Sequence, residues 1–377
     1  MSAAKDFNYS YWELKSLFKQ HDLVVIGSGI VGLSTAISFL EKNPIASVLV
    51  VEEGWQPDGA STKNAGFACF GSAGELLNDL KKMTSDTVWQ TVQMRWNGLQ
   101  MLRKRVGDHN LNYEELGGFE LFFSKKEYDE TRENLSILNK NVKEVLGLDN
   151  CYSEQPRDLN NFINCQGIIK NNFEGQLDTA LMMQQLLQIA CKKNARIINT
   201  VRVTELRDTT GVVEIETNIG VLRASRVVVA TNGFASELLR INAVLPARAQ
   251  VLVTTPIKNL AIKGAFHFDE GYYYFRNVDN RLLFGGGRNM DIEGETTTVR
   301  GLNSKIQDDL LKRLKENILH DTDFEIEARW SGIMGVGTEK KPIIRRHSEN
   351  IIAAVRMGGM GVAIGTYVGE QAALLAL

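Results

Sequence analysis

Branched apolar residues run from Leu23 to Ile26, give way to glycines, and are followed from Leu33 to Lys42 by apolar positions at helical spacing. A second branched run opens at Ser47 in "SVLVVEE". Strand, helix and strand in that order predict a βαβ unit with its glycines in the first turn. From Glu75 the texture changes: Val88, Val92, Trp96, Leu99, Leu102 and Val106 recur every three or four residues, the mark of a long helix with one apolar face. "GGFELFFS" from Gly117 reads as a short strand, and Lys125 to Leu146 as another charged amphipathic helix. "GQLDTALMMQQLLQIACKKNARI" reads as a helix leading into a strand, and "GVVEIETNIGVLRASRVVVATNGF" as a hairpin followed by a buried strand ending at Ala230. Between Pro246 and Phe324 the stretches "QVLVTT", "GYYYFRN" and "RLLFGGG" alternate as antiparallel strands do. Buried strands and glycine-rich turns return from Arg329.

This pattern predicts an α/β protein. A dinucleotide-binding domain is assembled from three separated pieces, residues 21–85, 165–240 and 328–377. A second domain of antiparallel sheet and helices fills the gaps at 86–164 and 241–327, and residues 1–20 form an N-terminal arm. A length of 377 residues suits two domains, or one large domain with an insertion, better than one ordinary core. Lys and Arg number 43 against 45 Asp and Glu, so the net charge of -2 provides no long-range field to gather nucleic acid or anionic lipid. The four cysteines, Cys69, Cys151, Cys165 and Cys191, contain no CxxC pair and no histidine at metal-ligand spacing, which fits reduced thiols and no metal. The first twenty residues lack the apolar core of a signal peptide. "GMGVAIGTYVG", the most apolar late stretch, is far short of the roughly 20 residues that span a bilayer. A cytoplasmic protein without a membrane span is expected.

Gly27, Gly29 and Gly32 form GxGxxG around Ser28, Ile30 and Val31. The first glycine makes the tight turn, the second lets a pyrophosphate approach the backbone, and the third lets helix pack on strand; the helix N–H groups then face the anion. Glu52, with Glu53 beside it, closes the second strand twenty residues beyond Gly32, where a carboxylate accepts from ribose hydroxyls. A simple nicotinamide dehydrogenase completes its nucleotide site in the first half of the chain. Here two more candidate cofactor segments, "VVVATNGF" and "RMGGMGVAIGTYVGEQAA", lie far downstream. That favours a large dinucleotide clasped along its whole length.

The glycine turn, "GASTKNAGF" at Gly59 to Phe67, "GQLDTALMMQQLL", "VVVATNGF", "LLFGGGRN", "RWSGIMGVGTEKKPII" and the terminal glycine block stand in the order of the D-amino-acid oxidase, glycine oxidase and sarcosine oxidase superfamily, which the chain resembles over nearly its whole length. The resemblance implies FAD, a Rossmann-like FAD-binding domain built from discontinuous segments, and an inserted substrate domain. It implies that Ser61, Thr62 and Asn64, continued by Ala65, Gly66 and Phe67, run beside the pyrophosphate and flavin ring. It places the Val203 backbone at the adenine and the small-residue turn Ala230, Thr231, Asn232 and Gly233 under the cofactor, with Gly332 also among the cofactor contacts. The terminal block has its own physical logic. A hydride at flavin N5 leaves negative charge near N1, and Gly358, Gly359, Met360, Gly361 and Val362 offer bare backbone donors where the next helix begins.

The substrate end departs from the family pattern. Met334 stands where amino-acid oxidases of this group carry a carboxylate-pairing arginine. Arg288 after the glycines of "LLFGGGR" is the first candidate replacement and Arg276 the second, surface salt bridges being the alternative duty of both. Tyr273, Tyr274 and Trp330 are candidate pocket walls, or core aromatics. No His or Cys occupies the positions where relatives bond the flavin, the C-terminal one being Gly335, so FAD is expected to be noncovalent. The expected activity is oxidation of a C–N bond of a small amine or amino acid by hydride transfer to flavin N5, the imine then hydrolysing, with oxygen as acceptor. A dehydrogenase delivering electrons to a quinone or carrier protein, and a flavin-binding protein without oxidase activity, are the alternatives.

Overall fold

The computed structural model describes residues 8–377; residues 1–7 of the expected arm lie outside the described residues. The remainder of the arm forms a helix, Tyr11–Leu17, opened by a capping box in which Ser10 and Glu13 exchange hydrogen bonds, and supplies the first residue of the strand Gln20–Ile26. Two compact units follow, one of the described residues up to 62 with 180–246 and 334–377, the other of 63–179 and 247–333. Residues 63–85 and 165–179, grouped by the sequence pattern with the dinucleotide domain, fall in the second unit.

The first unit is built on an eight-stranded sheet. Its centre runs Ile351–Val355, Gly220–Val229, Gln20–Ile26, Val48–Val51 and Arg196–Ile198, all parallel, with Ile343–Arg346 antiparallel at one edge. Leu23 to Ile26, Val48 to Val51, Val227 to Val229 and Ile351 to Val355 are buried on both faces, as parallel sheets require. The hairpin strand and the buried strand expected before Ala230 are one element: Gly220–Val229 pairs antiparallel with Val212–Thr217 at its start and parallel with Gln20–Ile26 further along. Helix Ile30–Lys42 packs on helix Gly361–Ala376 through missing side chains. A Cβ on Gly365 would lie 2.7 Å from Ile30 Cγ2, and one on Gly369 2.5 Å from Ser34 Cβ.

The second unit has its own eight-stranded sheet, ordered Ile326–Val336, Leu245–Thr254, Arg281–Gly286, Tyr273–Val278, Ala265–Phe268, Gly118–Phe122, Gly167–Asn171 and Tyr152–Gln155. Phe284, Phe275, Phe266 and Phe119 sit opposite one another on successive strands and fill the core on one face with Leu310 and Leu314. The opposite face carries the row Gly285, Tyr274, His267 and Glu120. The long helix is Ser85–Val106, as the periodicity predicts. The segment from Lys125 to Leu146 is two helices, Lys125–Glu133 and Leu135–Leu146, parted at Asn134, whose side-chain amide donates to the Glu130 carbonyl. Asparagine competes for backbone partners in this way, so the helix stops and restarts there.

Buried carboxylates hold the turn before the helix Ala73–Lys82. Glu174 accepts from the N–H groups of Phe70 (2.8 Å) and Gly71 (2.9 Å), and Glu120 from that of Gly74 (2.7 Å). Burial pushes the Glu120 carboxyl up to about 8, against the pull of Gly74 and Ser72. A carboxyl whose folded-state pKa is raised contributes stability that is complete below its unfolded value near 4.3 and is lost as pH climbs through 8. Glu120→Gln removes that titration while keeping an acceptor for Gly74. Urea unfolding should therefore show the difference in stability, variant minus wild type, rising between pH 5 and pH 8; a pH-independent difference would contradict the assignment.

Candidate functional site

Strand Gln20–Ile26 ends where Gly27 takes φ +100, a conformation glycine adopts without a Cβ penalty. A Cβ there would also meet the Ala230 carbonyl oxygen at 2.9 Å, and one on Gly32 would fall 1.9 Å from the Gly27 carbonyl oxygen. Gly29 caps the helix Ile30–Lys42 without a side-chain bond; instead the Ser61 hydroxyl accepts from the Ile30 N–H at 3.0 Å. Ser61 and Thr62 belong to a one-turn helix, Ala60–Lys63, rather than to a loop. Ser28 is fully buried, and Val31 and Ile30 are packed against the core.

Glu52 stands at the end of the second strand, fixed by Ser28 N (3.0 Å), Ser28 Oγ (2.7 Å) and Gly54 N (3.0 Å), all donating to its carboxylate. Glu53 points away and pairs with Arg202 on the surface. Val203 begins a half-exposed strand, Val203–Thr209.

The turn after Gly220–Val229 gathers the distant segments. Ala230 lies against Gly27. The Asn232 amide oxygen accepts from Arg356 N (3.1 Å) and Met357 N (3.2 Å), and a Cβ on Gly335 would collide with that oxygen and approach Gly233 N. Thr231 Oγ1 is buried with no hydrogen-bond partner. Gly332 is in the strand Ile326–Val336 and the second unit. The sequence does not signal two contributors. Gly335 reads there only as a covalent position, and Arg356, at φ +69, bonds the carbonyls of Lys341 and Ala243 and pairs with Glu339. A lone arginine before glycines gives no signal of that role.

Gly358 and Gly359 take φ +58 and +83 and lead into the helix Gly361–Ala376, whose N-cap, Met360, makes no side-chain bond and whose first turn, including Val362, carries no acidic residue. Its N-terminal N–H groups and partial positive charge are left for another acceptor. Met334 Sδ would lie 3.5 Å from a Cβ on Gly359.

Within the second unit, the Asn64 side chain accepts from Gly66 N (2.8 Å) and Thr179 Oγ1 (3.0 Å), tying down the turn that leads through buried Ala65 to the short strand Phe67–Ala68. Strand alternation separates the two tyrosines. Tyr273 is fully buried in the phenylalanine core and donates to Asp309 at 2.7 Å, so it walls no pocket on the opposite face. Tyr274 and Arg276 share that opposite face; the Tyr274 ring meets Phe67 edge-on, and Gly285 leaves the space the ring fills. Burial lifts the Tyr274 phenol to about 12 and lowers His267 to about 4, so both are uncharged at neutral pH. Trp330 packs with this group and donates from its indole to the Lys63 carbonyl at 2.9 Å. The side chain of Arg288, half-buried in a 3₁₀ turn behind Gly287, has no hydrogen bond or ion pair among the described residues.

Residues 22–375 match the family model "DAO: FAD dependent oxidoreductase". The chain belongs to this family. Gamma-glutamylputrescine oxidoreductase of Escherichia coli is 23% identical over 373 residues, covering 94% of this chain and 83% of that protein. In fold the chain is similar to L-proline dehydrogenase from P. horikoshii and to glycine oxidase from Geobacillus kaustophilus, each at a TM-score of 0.76 over 95% of this chain and 94% of the other, with 17% and 19% identity.

As a DAO-family member the protein uses FAD, and the first unit fits that cofactor on its own geometry. A helix whose own N-cap, Gly29, gives it no side-chain bond, behind a Cβ-free turn, suits a pyrophosphate. The Glu52 carboxylate keeps acceptor capacity beyond its three bonds, and Thr231 offers an unpartnered hydroxyl. A Cβ on Gly29 already stands 2.8 Å from Ser61 Oγ, and larger branches leave no room for phosphate. Gly29→Val should purify without stoichiometric FAD while the second unit keeps its fold, checked by flavin absorbance and limited proteolysis; full flavin content would contradict this placement.

Proposed function

We propose that the protein oxidises a C–N bond of a small amine or amino acid to an imine that water hydrolyses, with oxygen as the electron acceptor and FAD held without a covalent bond. Bound FAD supplies the acceptor for the hydride. Family membership supports the reaction class, and the observation that carries it into this chain is the uncapped, acid-free N-terminus of the helix Gly361–Ala376. Such a terminus stabilises negative charge that develops during reaction without reorganising. Ser61 and the glycine turn would orient the pyrophosphate, and Glu52 the ribose. The second unit would offer the substrate the face bearing Tyr274, Arg276 and Trp330. Uncharged His267 adds no positive charge to that face beyond Arg276.

The names of the similar proteins span both acceptor classes, oxidase and dehydrogenase, at the same TM-score of 0.76. A quinone or carrier-protein acceptor is therefore the second reading. Anaerobic addition of a panel of primary and secondary amines and amino acids should bleach the flavin with at least one of them. Admitting air should then restore the yellow colour and release one hydrogen peroxide per imine. Bleaching without reoxidation by air selects the dehydrogenase, and a flavin that no amine bleaches overturns the proposal. Heat-denatured protein should leave intact FAD in the supernatant; flavin in the pellet refutes noncovalent binding.

A further inference from the structure

Three of the chain's ten methionines, Met334, Met357 and Met360, meet at the turn that opens the helix Gly361–Ala376, all within the first unit. Met357 and Met360 bracket that turn, which is closed by the Met360 N–H donating to the Met357 carbonyl at 3.0 Å. Met334 reaches it from the strand Ile326–Val336: a Cβ on Gly359 would lie 3.5 Å from the Met334 Sδ. Apart from the turn's own chain neighbours, no other heavy atom of the described residues comes within 4 Å of that point, so the sulfur borders open space. Met357 is core at 6 % exposed, whereas Met334 and Met360 are half-buried and the two glycines between them are exposed.

A thioether is a soft, polarisable group, and its accessible chemistry is oxidation to the sulfoxide. With hydrogen peroxide the sulfur lone pair bonds one oxygen while the O–O bond breaks, and the other oxygen leaves with both hydrogens as water. Sulfur is oxidised by two electrons and peroxide reduced by two. Negative charge develops on the leaving oxygen, so donors beside the sulfur speed the step. The start of the helix Gly361–Ala376 provides them, with no side-chain bond from its N-cap and no acid in its first turn.

We propose that Met334 is a site of modification by hydrogen peroxide, and that its sulfoxide acts as a brake on the flavin. Oxidation turns an apolar side chain into a polar one whose oxygen carries the negative end of a strong dipole. Set at this turn, that oxygen competes for the N–H groups that otherwise face negative charge on the reduced cofactor. Reduced flavin is the more negative state, so its midpoint potential falls. The peroxide is the product of the oxidase reaction proposed above, and for that source alone the inference rests on oxygen as acceptor.

The test adds hydrogen peroxide to the FAD-loaded protein without any amine, reading the oxygen gained at each methionine by peptide mass spectrometry and the flavin midpoint against a redox dye. Met334 should be oxidised faster than Met290, which is 38 % exposed, and well before buried Met182, Met183 and Met357. The midpoint should fall in step with Met334 oxidation and recover after treatment with methionine sulfoxide reductase, a comparison that needs no variant. Met334→Leu, close in volume, should lose the response, and Met290→Leu should keep it. Oxidation of Met334 no faster than Met290, prior oxidation of Met360, or an equal midpoint shift in Met334→Leu overturns the proposal. A turnover arm in air, with and without catalase, separates the two readings. Peroxide released while Met334 stays a thioether overturns the brake, whereas no peroxide released overturns the oxygen reading and leaves the added-peroxide arm to decide the site.

Discussion

The first unit depends on one close approach. The Gly27 carbonyl sits where a Cβ on residue 32 would be, 1.9 Å away, and Gly27 itself presses on the Ala230 carbonyl at 2.9 Å from a Cβ. Interiors are dense enough that one extra methyl cannot be absorbed there without moving backbone. Because these contacts fix how the helix Ile30–Lys42 leaves its strand, they also fix where its N–H groups aim. The turn at Ala230–Gly233, the strand ending at Val355 and the start of the final helix are placed by contact with the same spot, through the Asn232 amide.

The second unit depends on alternation rather than on close approach. One face of its sheet is a ladder of phenylalanines and the other a row of polar groups, and consecutive residues of one strand serve opposite ends. Tyr273 is consumed by the core, and its neighbour Tyr274 is not. Arg276 follows the parity of Tyr274, which is how a guanidinium comes to be buried beside the Phe67 turn.

Much of this was legible in the sequence for identifiable reasons. The βαβ unit announced itself because branched apolar runs, three glycines and a terminal glutamate each have few other uses. The long helix Ser85–Val106 was readable from its spacing alone. Asn134 does not read as a break, since its effect rests on a side-chain bond within a segment whose pattern continues across it. The split between Tyr273 and Tyr274 was available in principle from period two, once Phe275 was assigned inward. The isolation of Arg276 was not, because it depends on the Gly66 and Leu177 carbonyls, to which its Nη1 donates, and on three carboxylates, Glu114, Asp178 and Asp279, that act on it only from a distance. Glu120 was invisible as an ionisable group of interest: in sequence it is one polar position in an alternating strand.

The helix Gly361–Ala376 closes the face of Ile30–Lys42, and that has a consequence for the nascent chain. The first βαβ unit is made long before the helix Gly361–Ala376, with Ile30 to Leu40 a continuous run of residues that are buried in the finished protein. Until that partner helix follows, the apolar surface has no native cover, and the contacts that bury it are among the longest in sequence that the fold contains. Over that interval the helix Ile30–Lys42 is a natural client for chaperones.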